Sequence, residues 1–291
     1  MSPEIERMVI ELAPLVRMAF RLITPGSFLM GSRGEHEDEE PMHRGKITKA
    51  FWLGETSVTQ EQFAAWTESE GVEHKNLFAG KADHPAESMD WFHATAFCRW
   101  LSSSGILPAD CMACLPTEAE WEYACRAGTD TEYYTGDGAE ALAEAGWFAE
   151  DWDAGSTHPV GLKQPNAFGL FDMHGNAWDW CHDVFDERAY CSRVDGAHDP
   201  GWAIRTEDYR NERGFERSEN NPRRVLRGGS WFGTAWDCRS ANRGRVEPGR
   251  RAMMPPLRRG QLQREASHSI GAFRLSNVAL DRAVRNWAFG R

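Results

Sequence analysis

Three stretches of the chain carry apolar residues at helical spacing behind clear start signals. Thr59 and Gln62 are spaced as a capping box, and Val58 and Phe63 are spaced as a hydrophobic staple. The same signals predict two further helices, one that follows Asp90 with Ala94, Phe97, Cys98 and Leu101 on one face, and one that follows Thr117 and Glu120 with Trp121 and Ala124 inward and Gly128 at its end.

Other stretches alternate between apolar and polar residues as strands do. Residues 23–30 predict a strand that turns or bulges at Pro25 and Gly26. Residues 224–232, RVLRGGSWF, predict a strand whose paired glycines pass close to another backbone. IGAFRL, at 270–275, is the predicted partner of that strand.

The remaining stretches have weaker periodicity. Residues 1–20 predict a short amphipathic helix interrupted near Pro14, and the acidic run at 35–40 predicts a solvated loop. Residues 129–165 predict long loops with a short strand near His158 to Gly161. His93, alone on the second helix, is interpreted as a hydrogen-bonded boundary residue and not as a metal ligand.

The run from Asn166 to Asp183, NAFGLFDMHGNAWDWCHD, follows neither period, so it predicts a tightly turned loop that leads into a short strand. Asp172 and Asp179 offer hard oxygen ligands, and Gly175 lets the backbone double back so that carbonyl groups point the same way. Calcium accepts such ligands. The alternative is that both aspartates only cap turns through hydrogen bonds to the backbone.

Composition limits the classes of protein that fit. The 291 residues allow one large domain or two small ones, and 13 Trp with 27 Gly favour a core of aromatic rings and turns. A net charge of −11 argues against attraction of the whole molecule to nucleic acid. Seven cysteines predict reduced thiols, and Cys111 with Cys114 lacks a second pair at zinc spacing.

The hydropathy pattern also predicts a location. The chain has no continuous apolar run long enough for a membrane span, and charged residues interrupt the opening segment where a signal peptide would be apolar. We therefore expect a cytoplasmic protein that does not enter a membrane.

Seven blocks, in order, resemble the formylglycine-generating enzyme family, also called the sulfatase-modifying factor family. The resemblance extends from about Ile23 to Leu275. Besides the run at 166–183, the blocks are PGSFLMGS at 25–32, FWLGETSVTQEQF at 51–63, HPAESMDWFHATAFCRWLS at 84–102, LPTEAEWEYACRAG at 115–128, RVLRGGSW at 224–231 and IGAFRL at 270–275.

This resemblance implies an α+β fold of the C-type-lectin-like kind, loop-rich, with a few short helices around small antiparallel sheets. We expect one domain over 23–278, between an N-terminal appendage at 1–22 and a tail at 279–291. It also implies a structural calcium ion held by the loop, with ligands at Asp172, Gly175, Ala177 and Asp179. Active members of the family use an asparagine for a second calcium site, and residues 146–155 of this chain have no asparagine in the expected place.

Active members of the family bind Cu(I) through two cysteines and oxidise a substrate cysteine to formylglycine. The family spacing places these thiols at 233 and 238, where this chain has Gly233 and Cys238. Half of the copper ligands are missing. Two interpretations remain open: Cys238 is a buried structural thiol, or it is a redox thiol in an oxidase with Ser230 and Trp178 lining the pocket.

The same fold serves as the ligand-displaying body of variable proteins that retroelements diversify, which favours a non-catalytic module for a protein or peptide ligand. Residues 249–268 add an arginine- and methionine-rich loop, whose arginines would be the part to attract nucleic acid or an acidic partner. The predicted ligand-binding residues are Trp231, Phe232, Trp236, Asp237, Arg239, Asn242 and Arg245, with the alternative that Trp231 and Trp236 are core rings.

Overall fold

The computed structural model describes residues 5–109, 111–148, 155–192, 217, 221–250, 271–272 and 274–279. Its strands are β1 (Arg7–Ala13), β2 (Val16–Ile23), β3 (Gly26–Met30), β4 (His43–Ile47), β5 (Phe51–Gly54), β6 (Cys111–Cys114), β7 (Trp178–Val184), β8 (Arg224–Arg227), β9 (Gly244–Val246), β10 (Gly271–Ala272) and β11 (Ser276–Ala279). Its α-helices are α1 (Gln60–Glu70), α2 (Trp91–Ser103), α3 (Glu118–Arg126) and α4 (Gly138–Ala145).

The strands form three small sheets. One has the order β1-β2-β5-β11-β6 and is antiparallel throughout, and β3 pairs with β4 in a separate hairpin. The third has the order β10-β7-β8-β9, in which only the β10–β7 pair is parallel. Small sheets with four short helices confirm the predicted α+β class. Among the described residues, no helix is both long and apolar enough to cross a bilayer.

The predicted helix at residues 1–20 is wrong, because this segment forms the β1–β2 hairpin. The chain turns at Pro14 and Leu15, and β2 then pairs with β5 in the five-stranded sheet. Alternate residues of each strand are buried in the largest apolar cluster: Ile10 and Leu12 on β1, and Met18 and Phe20 on β2. The apolar spacing of residues 1–20 is compatible with a helix or with a strand, and the hydrogen bonds between β2 and β5 favour the strand.

The three predicted helices are confirmed together with their caps. Capping boxes begin α1 at Thr59 and α3 at Thr117, and the Asp90 side chain caps α2. The left-handed residue that ends α3 is Ala127, one position before the predicted Gly128. These signals are local to each helix terminus, which is why the sequence shows them.

The interpretation of residues 129–165 as loops misses α4 and is wrong about a strand at 158–161. Helix α4 follows Asp137, whose side chain makes no capping hydrogen bond. It forms because Leu142 and Ala145 are fully buried. Residues near His158 adopt irregular structure and a turn instead of a strand.

The predicted partner of the RVLR strand is also wrong. Strand β8 pairs with β7 and β9, whereas β10 pairs in parallel with β7 and β11 lies between β5 and β6. The loop predicted at 249–268 lies outside the described residues beyond Arg250, and so does the tail after Ala279. Strand β7 begins at Trp178, as expected for a loop that leads into a strand.

The acidic run at 35–40 is not a solvated loop throughout, because two of its side chains are buried. Asp38 is 6% exposed and Glu39 is 0% exposed, and both face arginines from the segment after β8. A carboxylate tolerates such burial when a hydrogen-bonded cation compensates its charge. The buried part of the acidic run therefore helps to hold the segment after β8 in place.

Candidate functional site: the face around Trp236

The loop before β7 carries the segment that follows β8. The side chain of Asn166 fixes the loop to the end of α3, since its amide donates to the carbonyl oxygen of Ala124 at 2.7 Å and its oxygen accepts from the Leu170 amide. The loop then supports the later segment through its backbone, because the carbonyl of Asn176 accepts from the Trp231 amide at 3.0 Å.

Two consecutive glycines let the chain leave β8 in close contact with its neighbours. Gly228 and Gly229 have φ values of 97° and 76°, in the left-handed region that other residues avoid. A Cβ at Gly229 would lie 2.5 Å from Cys238 Sγ, and one at Gly228 would lie 3.2 Å from the carbonyl oxygen of Met173. This confirms that the paired glycines pass close to another backbone, but the predicted strand ends at Arg227, because the positive φ values of both glycines break the extended conformation.

Cys238 lies inside the protein, against this glycine turn. It is 0% exposed, and burial raises the pKa of its thiol far above the usual range, although the backbone amides of Ser230 and Gly175 oppose this shift. Gly233 supplies no second thiol. Among the described residues, no group of three or more His, Cys, Asp or Glu side chains could hold a metal ion.

The structure brings together only two of the three residues assigned to the oxidase hypothesis. The buried Ser230 is beside Cys238 through its backbone amide. Trp178 instead packs into the largest apolar cluster, where its ring lies 3.0 Å from the position that a Cβ at Gly244 would take. A core contact of this kind accounts for Trp178 without a pocket.

The predicted calcium ligands differ in what they offer a cation. Asp172 is buried, and its Oδ1 has no hydrogen-bond partner, while Oδ2 accepts from the Gly161 amide at 2.7 Å. Asp179 accepts from Ser57 at 3.1 Å, from the Trp121 indole at 3.1 Å and from the Arg274 guanidinium at 3.4 Å. Asp172 thus offers a cation one bare carboxylate oxygen, whereas both oxygens of Asp179 already accept hydrogen bonds and Oδ2 also pairs with Arg274.

The predicted ligand-binding residues divide by exposure. Trp231, Arg239 and Asn242 are buried, so their side chains act as support. Phe232, Asp237 and Arg245 are partly exposed, and Trp236 is 41% exposed. Trp231 is thus a core ring, whereas Trp236 is a surface ring.

Arg239 holds Trp236 from beneath. Its two terminal nitrogens donate to the carboxylate of Glu39 at 2.9 and 2.8 Å, and its Cζ lies 4.5 Å from the centre of the Trp236 ring. The His36 ring contacts the same indole edge-on, with ring centres 6.0 Å apart. The exposed tryptophan is therefore fixed by a cation that already has its own counter-ion.

Further arginines join the same segment to the interior. Arg243 pairs with Glu118 at 2.6 Å and donates to the Asp38 carbonyl oxygen at 2.8 Å, and Arg227 pairs with Glu122 inside the protein. Arg245 lies closer to solvent, 3.5 Å from the Asp38 carboxylate. It also lines an open cleft of about 500 Å³ with Phe185, Asp186, Glu187, Arg188 and Arg223.

Sequence reasoning missed one aromatic contact of Trp231. The Phe78 ring packs edge-on against Trp231, with ring centres 5.6 Å apart, and the Lys81 amine lies 5.7 Å from the centre of the Phe78 ring. The buried carboxylate of Glu87 accepts from the Phe78 amide at 2.8 Å and so fixes this loop. Residues 72–82 have no periodicity, so nothing in the sequence indicated that Phe78 reaches Trp231.

Comparison with known proteins identifies the class. The family model for the sulfatase-modifying factor enzyme 1-like domain matches residues 15–258, and the chain belongs to this family. It is 30% identical over 249 residues to the serine/threonine-protein kinase pkn1 of Chlamydia caviae, covering 78% of this chain and 35% of the kinase. It is 32% identical over 182 residues to the formylglycine-generating enzyme of Streptomyces coelicolor, covering 58% of this chain and 48% of the enzyme.

Solved structures show the same fold. Treponema denticola variable protein 1 superposes with a TM-score of 0.67 at 24% identity, covering 93% of this chain and 98% of that one. PvdO from Pseudomonas aeruginosa superposes with a TM-score of 0.68 at 21% identity, covering 93% and 97%. Because the chain spans about a third of the chlamydial kinases and half of the Streptomyces enzyme, these relatives define the domain and not a whole-protein activity.

Proposed function

We propose that this domain is a non-catalytic module that binds a protein or peptide ligand at the face around Trp236. One observation carries the proposal: the only thiol at the copper positions, Cys238, is fully buried, and Gly233 stands where the second thiol would be. Linear Cu(I) coordination needs two soft ligands that approach the metal together. The same segment nevertheless keeps an exposed, firmly supported aromatic residue.

The character of this face supports binding. Trp236 is a large aromatic side chain held in one place, and such residues dominate binding energies because little conformational entropy is lost on contact. Phe232 and Phe78 are two further partly exposed aromatic residues, and both pack against the buried ring of Trp231, with ring centres of Trp231 and Phe232 5.6 Å apart. The chain is similar in structure to a protein named as a variable protein. On this basis we also propose that the segment around Trp236 is diversified.

The decisive experiment tests whether the protein can oxidise a substrate cysteine with copper and oxygen. A cysteine peptide of the C-x-P-x-R type is incubated with the protein, Cu(I) and oxygen, and mass spectrometry follows loss of the thiol and appearance of the aldehyde. We expect an unchanged peptide. Appearance of formylglycine would favour the second candidate function, a copper-dependent oxidase, for which the named formylglycine-generating relatives are the supporting observation.

Gly233→Cys is the matched variant, because it restores the missing thiol at its own position. A Cβ at Gly233 would meet Ser230 O and Asp237 Cβ at 3.3 Å, so these neighbours would have to move by a few tenths of an ångström. If Gly233→Cys gains copper binding or oxidation while the parent has none, the loss of one ligand explains the lack of chemistry. If the parent already oxidises the peptide and Cys238→Ala abolishes it, the binding-module proposal is overturned.

Binding itself is tested by selection from a random peptide library. We expect enriched peptides that lose affinity for the Trp236→Ala variant and keep it for Leu162→Ala, which removes an apolar side chain that is 64% exposed elsewhere. If the selected peptides bind the Trp236→Ala variant as tightly as the parent protein, the binding surface lies elsewhere. Failure to enrich any peptide would count against the module.

A further inference from the structure

Strand β1 is one edge of the five-stranded sheet, and it presents a row of backbone groups to the outside. Within the described part of the chain, its strand partner is β2 alone. The Leu22 amide donates to the Glu6 carbonyl oxygen at 3.0 Å, and the register of the two strands places these residues opposite each other. Residues of an antiparallel pair alternate between facing the partner strand and facing away from it. The amides and carbonyl groups of Arg7, Val9 and Glu11 therefore point away from β2.

The side chains of the same three residues lie on the exposed side of the sheet. Arg7, Val9 and Glu11 are all exposed, whereas the alternate residues Ile10 and Leu12 are buried in the core. An edge strand with free backbone groups is a template for another strand, and many soluble proteins block such an edge with a bulge, a proline or a lysine. The register of β1 is regular from Arg7 to Glu11, and this stretch has neither proline nor lysine. The edge is therefore open over these residues.

The charges along this edge are unbalanced at both of its ends. Arg7 donates to the Glu55 carboxylate at 2.7 and 3.0 Å. Arg21 pairs with the same carboxylate at 2.6 Å, so two guanidinium groups share one negative charge. The Glu11 carboxylate accepts from the Leu15 amide at 3.2 Å and forms no ion pair within the described residues. The edge thus has excess positive charge near its start and an unbalanced negative charge near its end.

We propose that the β1 edges of two copies of this chain pair antiparallel across a two-fold axis at Val9 and so join their five-stranded sheets. In this register Arg7 lies opposite Glu11 of the second copy, and the two-fold axis repeats the same charge pair on the other side. Val9 lies opposite Val9 of the second copy. These are the positions whose backbone groups point outward, so each opposed pair exchanges both of its hydrogen bonds. Sliding one strand by two residues would keep outward groups paired but would remove both charge pairs.

The test is sedimentation equilibrium of the full chain at protein concentrations up to about 500 µM, because a contact this small gives a weak dimer. We expect an average mass that rises with concentration from monomer towards dimer. Val9→Pro removes the outward amide at the two-fold axis without removing a hydrogen bond to β2. This variant should stay monomeric and keep the melting temperature of the parent. A parent protein that is monomeric at every concentration, or a folded Val9→Pro variant that dimerises like the parent, overturns the inference.

A mixture of two charge variants tests the register. Glu11→Arg and Arg7→Glu each place like charges opposite each other, so each variant alone should dimerise about tenfold more weakly than the parent. Mixed together, the two variants restore both opposite-charge pairs and should form a mixed dimer with about the affinity of the parent. Glu140→Arg makes the same charge change at an exposed position on α4 and should dimerise like the parent. A mixture that associates no better than either variant alone contradicts the proposed register, and equal weakening by Glu140→Arg contradicts the site.

Discussion

Arg239 and Glu39 form a buried, two-pronged ion pair between residues 200 positions apart in the sequence. The pair joins the acidic run to the segment that presents Trp236, and it fixes the ring from below. The position of the Trp236 ring therefore depends on a contact that neither segment reveals alone.

Glu39→Gln should destabilise the protein by about 3 to 5 kcal/mol, because it leaves the Arg239 guanidinium buried without a counter-ion. Chemical denaturation by urea measures the loss. Glu247→Gln is the control: it breaks the Arg223–Glu247 pair, whose side chains are 55% and 47% exposed, and should cost less than about 1 kcal/mol. Equal losses in the two variants would contradict a structural role for the buried pair.

Gly229→Ala should be more damaging than Gly128→Ala, although both glycines have positive φ values, 76° and 97°. An added methyl group at Gly128 meets nothing within 4 Å, so that variant carries only backbone strain of about 1 kcal/mol. At Gly229 the methyl group collides with Cys238, whose Cα would be 2.9 Å away. Similar unfolding free energies for the two variants would show that the turn has room.

Acid should weaken the contact between Asp90 and the Arg217 side chain. Burial favours the neutral form of Asp90, but hydrogen bonds from His93 and Arg217 outweigh it and lower the pKa of this carboxyl to about 2. A folded-state pKa below the unfolded value gives stability that is fully present above about pH 4 and lost as the pH falls towards 2.

Urea unfolding across this pH range measures the effect, with Asp90→Asn as the comparison. The Asp90→Asn variant should have a lower free energy of unfolding than the parent at neutral pH. This difference in unfolding free energy should become smaller below about pH 4. A difference that stays constant down to pH 2 would mean that the carboxylate charge of Asp90 contributes nothing to stability.

Calcium should raise the melting temperature, and a chelator should lower it, if the loop before β7 holds the ion that the family resemblance implies. Asp172→Asn should remove this response, because Asp172 supplies the bare carboxylate oxygen. Calorimetry with and without calcium decides the matter. An identical melting temperature in calcium and in chelator would mean that Arg274 alone balances Asp179.

The parts of the fold that the sequence revealed are those with local causes. The caps at Thr59, Asp90 and Thr117 act within three residues of each helix start, and each helix is where they indicate. Strand partners depend on distant segments, so the pairing of β10 with β7 and the hairpin near Pro14 could not be read from spacing. The helix α4, which has no side-chain cap, is held by buried Leu142.

The candidate site shows the same division. A run of like charge indicates a solvated loop only if no opposite charge is available elsewhere, and the sequence does not show that Arg239 and Arg243 return to residues 38 and 39. The sequence does not show the burial of Arg239 for this reason. It does not show the contact between Phe78 and Trp231 because residues 72–82 have no periodicity. The absence of a thiol at Gly233 follows from counting residues along the sequence at the family spacing, so it does not depend on the structure.

The place of β11 in the five-stranded sheet has a consequence for synthesis of the chain. Strand β11 lies between β5 and β6 and supplies their hydrogen-bond partner, yet it is translated long after both. Until it emerges from the ribosome, both earlier strands expose a free edge that can pair with other chains. Completion of the sheet must therefore be a late event, and stalled translation products should aggregate more readily than the finished protein.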